Sequence, residues 1–317
     1  MKGAQLDTYN KDSRIGIRAN NVTRQLQSID RCIAAHGAGA DLWQPWTAVA
    51  LERMREGHAC TITAKEGRRK LIARIVIAAD GSWERSVVTA PCVATHGPSD
   101  LFAFKAHLED CELAADLMPL LMFAGGYGGM VHTDSGRVSL SCCIRRDALK
   151  DCRQRHPGAH AGEAVLLHIC ASGMPARQAL ARARLVGAWL SAGPINPGIR
   201  HRFSNGIFVV GNAAGEAHPI VAEGISMAMQ AAWLLSRSLI SRQEDLSMQQ
   251  VIADIGTAYA SEWNAAFALR IRAATAFAQI AMRPNAAILY LSLLKRFPKI
   301  LTVGARFSGK TKFVAVV

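Results

Sequence analysis

Short apolar runs separated by turn residues dominate the chain as far as residue 150, and they predict strands. Residues 75–79 (IVIAA) and 207–210 (IFVV) are continuous apolar runs, a pattern typical of strands that are buried on both faces. The Glu66-Gly67 dipeptide lies between two strand-like stretches, residues 59–63 (ACTIT) and 71–79 (LIARIVIAA), and predicts a hairpin turn. Further strands are predicted at residues 101–107, 120–124, 130–132 and 138–144, with the glycine run 125–129 breaking the second from the third.

Apolar residues at helical spacing predict the helices. The longest such region carries Phe267, Ile271 and Ala274 on one face. The predicted helices are residues 22–36, 161–185, 247–282 and, beyond Pro284, 286–296.

The order of these elements defines the predicted fold class, which is α/β, and α+β overall. An antiparallel-sheet domain, residues 96–195, is inserted into an α/β domain that is formed by residues 1–95 and 196–317. A length of 317 residues suits two domains of roughly 150 residues each. With 50% apolar and 19% charged residues, the composition is that of a globular protein.

The cysteines and the hydropathy predict a cytoplasmic location. The eight cysteines include no C-x-x-C pair and no His/Cys cluster with zinc spacing, so we expect reduced thiols and no metal. No apolar run reaches the roughly 18 residues of a membrane span.

The net charge of +13 is concentrated at the C-terminus, where residues 264–317 hold nine Lys/Arg and no Asp/Glu. This basic segment predicts either a solvated helical face or a peripheral contact with the inner face of a membrane, since residues 286–299 combine an apolar helix with basic flanks. Nucleic-acid binding is not expected, because no recognised nucleic-acid-binding pattern is present. The P-loop pattern at residues 304–311 is followed by too few residues for its helix.

The stretch from Ile207 to Leu235 is the strongest candidate site. Gly211 stops an apolar strand, a turn of small residues and His218-Pro219 follow, and a helix begins near Ile225. This order places backbone N–H groups and a helix N-terminus at a cleft, which suits a phosphate or a polarised ring.

The segment VVGNAAGEAHPIVAEGISMAM resembles the second FAD-binding signature of flavoproteins of the aromatic-hydroxylase and geranylgeranyl-reductase group. In that group an Asp at the position of Asn212 bonds the ribityl chain, and the loop at the position of Pro219 lies against the flavin ring. Asn212 is a departure that keeps an acceptor, adds donors and lacks the charge. The resemblance implies cofactor binding by Gly211, Asn212, Ala213, Pro219, Gly224 and Ile225.

The run IVIAADG, residues 75–81, resembles the same group's internal Asp-Gly signature, and this implies that Asp80 and Gly81 also contact the cofactor. The resemblance lacks one part, because the sequence contains no G-x-G-x-x-G loop for the FAD pyrophosphate. We therefore predict an incomplete FAD-binding Rossmann-like domain with C-terminal helices. The expectation is that the start of the chain is truncated or misassigned, or that the chain is a remnant with altered cofactor binding.

By resemblance, the expected function is that of an FAD-dependent oxidoreductase, either a reductase or a monooxygenase, with NADPH as a candidate reductant. Its substrate is expected to be an apolar small molecule, lipid or aromatic, lying between the sheet domain and the flavin. The flavin supplies the chemistry, so no catalytic side chain is assigned. The alternatives are a non-catalytic remnant without cofactor and a peripheral membrane-binding module.

Overall fold

The computed structural model describes residues 33–81, 97–133, 136–283, 285–286 and 296–297. The chain forms two compact units. The first comprises Met1–Pro45 and Phe102–Ala192, and the second comprises Trp46–Leu101 and Gly193–Val317. The roles of substrate domain and FAD-binding domain stay predictions.

The described residues form strands, α-helices and short 3₁₀ helices. The strands are β1 (Thr47–Arg53), β2 (His58–Ala64), β3 (Gly67–Ala73), β4 (Val76–Ala78), β5 (Leu101–Glu109), β6 (Leu120–Phe123), β7 (Gly126–His132), β8 (Val138–Arg145), β9 (Arg184–Ile195), β10 (Gly198–Ile199), β11 (Phe203–Ser204), β12 (Ile207–Val209) and β13 (Gly215–Glu216). The α-helices are α1 (Arg146–Arg155), α2 (Ala161–Ala171), α3 (Met174–Leu180), α4 (Gly224–Ile240) and α5 (Gln249–Ala281). Short 3₁₀ helices occupy Gly211–Ala213, Pro219–Val221 and Gln243–Asp245.

The first unit contains a five-stranded sheet in the order β6-β7-β8-β5-β9. The antiparallel arrangement predicted for its strands is confirmed where β7 pairs with β6 and with β8. Strand β9 and helix α1 are elements that the hydrophobic pattern did not predict. Strand β9 is largely exposed and is interrupted by Gly187, Gly193 and Pro194, so it lacks the alternation that marks a half-buried strand.

The predicted break between two strands lies at Ala124-Gly125, but β7 begins at Gly126 and contains the rest of the glycine run, so the prediction that the whole run separates the strands is wrong. The neighbouring strands approach these glycines too closely for a side chain. A Cβ at Gly126 would overlap the Phe123 ring, and one at Gly128 would lie 2.7 Å from the Ser141 carbonyl oxygen. The glycines therefore serve close strand packing here rather than a turn.

The predicted helix 161–185 is two shorter helices, α2 and α3, followed by the start of β9. These helices pack on one face of the sheet. The core between them contains Phe104, Leu108, Leu140, Ile144, Val165 and Ile169.

The second unit contains the predicted hairpin, since β2 and β3 pair antiparallel around Lys65 and Glu66. The apolar run 71–79 is not one strand. It ends in the hairpin at Ala73 and resumes as β4, which belongs to a separate three-stranded sheet in the order β11-β12-β4. Strand β12 is buried on both faces, as predicted. The same prediction for β4 is wrong, because β4 buries Ala78 on one face and leaves Ile77 on the other face 47% exposed.

Helix α5 confirms the predicted long helix and its buried face of Phe267, Ile271 and Ala274. Tyr259 and Trp263 of the same helix are fully buried in this core with β12. No helix among the described residues is long and apolar enough to cross a membrane. The predicted helix 286–296, the P-loop pattern and nearly all of the basic C-terminal segment beyond Pro284 lie outside the described residues.

The hydroxyl of Tyr259 ties α5 to the central strand by donating to the Val209 carbonyl oxygen at 3.0 Å. We expect Tyr259→Phe to lower the free energy of unfolding by about 1–3 kcal/mol, because it leaves a buried acceptor without its hydroxyl partner. Urea unfolding of both proteins measures this difference. Equal midpoints and slopes would show that the hydroxyl contributes nothing to the core.

Candidate functional site

The parallel pairing of β4 with β12 brings the two sequence signatures together. Ala78 is in register with Val209, and the Val210 N–H donates to the Ala78 carbonyl oxygen at 2.9 Å. Because both strands run in the same direction, the segments that follow them, Asp80-Gly81 and Gly211-Asn212, leave the sheet at the same edge. The carboxyl edge of parallel strands is where α/β proteins bind their ligands.

The loop from Gly211 to Glu223 positions a helix end at this edge. Gly211 has φ +62°, a conformation that favours glycine, and it turns the chain out of β12 into a 3₁₀ helix. A second 3₁₀ helix spans Pro219–Val221, and Ala222 directly after it has a left-handed φ of +52° that redirects the chain into α4. As a result, Asn212 Oδ1 lies 3.7 Å from the position that a Cβ would occupy on Gly224.

The N-terminus of α4 is open at the backbone. No side chain of the described residues caps its first turn, and Ile225 on that turn is exposed. The free N–H groups and the positive end of the helix dipole therefore offer donors and a partial positive charge to an acceptor group of a ligand.

Asp80 contributes an acceptor to the same edge. Its Oδ1 atom is buried and finds no hydrogen-bond partner among the described residues. Gly81 follows it at φ +79°, and no atom of the described residues lies within 4 Å of the position where its side chain would start. Buried carboxylate oxygens are normally paired, so this atom is suited to a hydroxyl or N–H donor of a bound molecule.

Arg200 holds the turn after β12 in place, and the sequence interpretation missed it. Its guanidinium donates to the Asn212 carbonyl oxygen at 2.6 Å and to the Asn196 carbonyl oxygen at 2.7 Å, and it lies 3.3 Å from the buried Glu216 carboxylate. Its backbone N–H donates to the Ala214 carbonyl oxygen. A single arginine in a loop gives no signal of this role, which depends on the β10–β13 pairing.

A buried ion pair at the start of α4 was also missed. Arg270 of α5 contacts Glu223 Oε2 through Nη2 at 2.7 Å and through Nε at 3.2 Å, and its Nη1 donates to Gln230 at 3.1 Å. The Glu223 side chain is only 4% exposed and that of Arg270 only 10%. The available signal was the position of Arg270 three residues after Phe267, which places the arginine near the buried face of the predicted helix.

His218 is almost completely buried, at 2% exposure, directly before Pro219. Burial disfavours the charged ring and lowers the pKa of His218 to about 4, so this side chain is neutral at neutral pH. It therefore adds no charge to the loop.

This pKa predicts a loss of stability in mild acid. The folded protein holds His218 neutral down to pH about 4, whereas the unfolded chain takes up a proton near pH 6.5, so stability falls as the pH drops through this window. Between pH 7 and pH 5 we expect the loss from this group to be about 2 kcal/mol. The measurement is urea unfolding at both pH values for the wild type and for His218→Gln, in which this position does not titrate. The same pH dependence in both proteins would contradict the prediction.

Neither a protein-family model nor a curated protein matches the sequence. Solved structures do match the fold. The flavin-dependent brominase Bmp2 is 14% identical with a TM-score of 0.64, and the match covers 90% of this chain and 69% of Bmp2. CmlS, a flavin-dependent halogenase, is 15% identical with a TM-score of 0.60, covering 78% of this chain and 45% of CmlS.

The myxobacterial chondrochloren halogenase CndH is 18% identical with a TM-score of 0.54, covering 73% of this chain and 54% of CndH. The chain thus spans about half the length of CmlS and of CndH. These likenesses show that the chain has the fold of flavin-dependent oxidoreductases, which confirms the predicted fold class and the predicted resemblance at the level of the fold.

All eight residues predicted to bind the cofactor belong to the second unit. The structure places Asp80 and Gly81 after β4, and Gly211, Asn212 and Ala213 after β12, at the shared edge. Pro219 begins the second 3₁₀ helix, and Gly224 and Ile225 form the first turn of α4. Which of them touch a cofactor stays a prediction.

Proposed function

We propose that the protein is an FAD-dependent oxidoreductase and that the carboxyl edge of β4 and β12 holds the flavin. The observation that carries this proposal is the convergence there of both flavoprotein-like signatures with an uncapped helix N-terminus. When bound, the flavin ring accepts electrons and passes them to a second substrate. The protein contributes the groups that bind and orient the ring.

The residues at this edge fit such a cofactor chemically. The buried Asp80 Oδ1 suits a ribityl hydroxyl, which is a donor, and Asn212 offers both an acceptor and donors beside Gly224. The first-turn N–H groups of α4 suit a carbonyl oxygen of the ring, and the absence of a side chain on Gly224 permits close approach.

The substrate class follows from the fold likeness and from the sequence resemblance together. We propose an apolar small molecule, aromatic or lipid, that is modified by flavin-dependent oxygen chemistry or by reduction. The solved structures compared above include a flavin-dependent brominase and two halogenases, and this favours an oxidative reaction over the reductase branch.

The test is flavin retention by the full chain. The purified protein is incubated with FAD or with FMN, desalted, and its flavin absorbance is recorded. We expect the wild type to retain flavin. We expect Asp80→Ala to raise the Kd for FAD about tenfold, because the loss of one hydrogen bond of about 1.4 kcal/mol corresponds to a tenfold change. Asp245→Ala, which changes an exposed carboxylate of the same unit, is the matched control with an unchanged Kd.

The measurement with FMN tests whether the chain binds the whole of FAD or only its flavin half. Because the sequence has no G-x-G-x-x-G loop, equal affinities for FAD and FMN would show that this chain binds only the flavin half. Retention of neither flavin by the wild type would overturn the proposed function.

A further inference from the structure

The Glu223–Arg270 pair places two buried charges at the N-terminus of α4. Glu223 is the N-cap residue of this helix, and its carboxylate precedes Gly224 directly in the chain. Arg270 reaches it from α5, 47 residues away in sequence, and is held by Gln230 as well.

The pair is asymmetric. Arg270 Nε and Nη2 both donate to Glu223 Oε2, whereas Oε1 is buried and finds no donor in the described part of the chain. Arg270 thus pairs with the carboxylate charge through one oxygen, and the other oxygen remains a buried acceptor without a described donor. An ion pair that served stability alone would be expected to satisfy both oxygens, because an unpaired buried acceptor costs about 1–3 kcal/mol.

We propose that Glu223 and Arg270 together set the charge at the N-terminus of α4 and thereby the reduction potential of the bound flavin. This inference rests on the proposed function. The helix end contributes roughly half a positive charge, which the carboxylate of Glu223 opposes and the guanidinium of Arg270 restores. Buried charges act strongly on a neighbouring group because the surrounding dielectric constant is low.

The sign of each charge fixes the direction of its effect. Reduction of the flavin adds two electrons and one proton at neutral pH and leaves one negative charge on the ring. Removing the negative charge of Glu223 stabilises the reduced flavin and raises the potential. Removing the positive charge of Arg270 destabilises the reduced flavin and lowers the potential.

The experiment measures the potential of the FAD-loaded wild type, Glu223→Gln and Arg270→Gln by dithionite titration with a reference dye. We expect Glu223→Gln to shift the potential upward and Arg270→Gln to shift it downward. Each shift is expected to reach about 30 mV, which equals a tenfold change in the ratio of the Kd values for oxidised and reduced FAD. Arg237→Gln, which breaks an exposed ion pair between the same two helices, is the control with an unchanged potential.

The outcomes separate the two proposals. If FAD is bound but both variants leave the potential unchanged or shift it in the same direction, this inference is overturned and the proposed function stands. If the wild type binds no FAD, both are overturned. Should Arg270→Gln fail to fold, the nearly isosteric Glu223→Gln decides by the sign of its shift alone.

Discussion

Arg270→Met is expected to lower the free energy of unfolding by about 3–5 kcal/mol, as is typical when one partner of a buried ion pair is removed. The change leaves the carboxylate of Glu223 at 4% exposure without its cation. The methionine fills much of the same volume, so the uncompensated charge rather than a cavity dominates the cost. Guanidinium-induced unfolding at pH 7 measures the difference.

A second, exposed ion pair between helices α4 and α5 serves as the control for this experiment. Arg237 of α4 and Glu262 of α5 form a second ion pair at 2.8 Å, but their side chains are 55% and 42% exposed. Arg237→Met should therefore cost less than about 1 kcal/mol, because water screens the pair. The double variant Glu223→Leu/Arg270→Met should recover most of the stability, since no buried charge remains. Equal costs for Arg270→Met and Arg237→Met would contradict the argument.

Trp263→Ala is expected to cost about 3–5 kcal/mol, the range for deleting a large buried ring. Trp263 is 1% exposed and packs edge-on against Phe267 with ring centroids 5.1 Å apart. Its ring also lies over Gly215, where a Cβ would come within 2.5 Å of it. The indole thus occupies the space beside the β13 strand of the candidate site, and its removal leaves a cavity there.

A coupled substitution tests this packing directly. Gly215→Val in the wild type should cost about 1–3 kcal/mol through overpacking against the ring. In the Trp263→Ala background the same valine fills part of the cavity, so the double variant should be more stable than the sum of the two single costs predicts. Thermal or urea unfolding of the four proteins measures the coupling. Strict additivity would show that Gly215 and Trp263 do not share this space.

Local patterns predicted the elements whose signals lie within a few residues. The Glu66-Gly67 turn, the buried strand β12 and the apolar face of α5 depend on turn chemistry and on periodicity, and these act over one or two turns of chain. The wrong predictions concern segments whose conformation depends on residues that pack against them in the folded protein. The glycines of β7 were predicted to interrupt the strands, because the sequence does not show that the Phe123 ring and strand β8 lie too close for side chains at these positions.

In the candidate site, too, some features were predicted from local sequence and others depend on tertiary contacts. Its two signatures were visible because each is a strand followed by a short turn, and the start of α4 was predicted to within one residue. Their meeting at one edge depends on the parallel pairing of β4 with β12, which no local pattern specifies. The hydrogen bonds from Arg200 to the Asn212 and Asn196 carbonyl oxygens likewise depend on the pairing of β10 with β13.

By itself, the sequence determined the elements around Gly211 and the resemblance to flavoproteins, and from these came the prediction that Asp80, Asn212 and Gly224 bind the cofactor. Only the tertiary structure decided that the buried Asp80 Oδ1 has no hydrogen-bond partner among the described residues and that Glu223 forms a buried ion pair with Arg270. The physical reason is that turns and periods are fixed by short-range sterics and hydrogen bonding. Burial, desolvation and the partner of a charge depend on residues far apart in the chain, which only the folded core brings together.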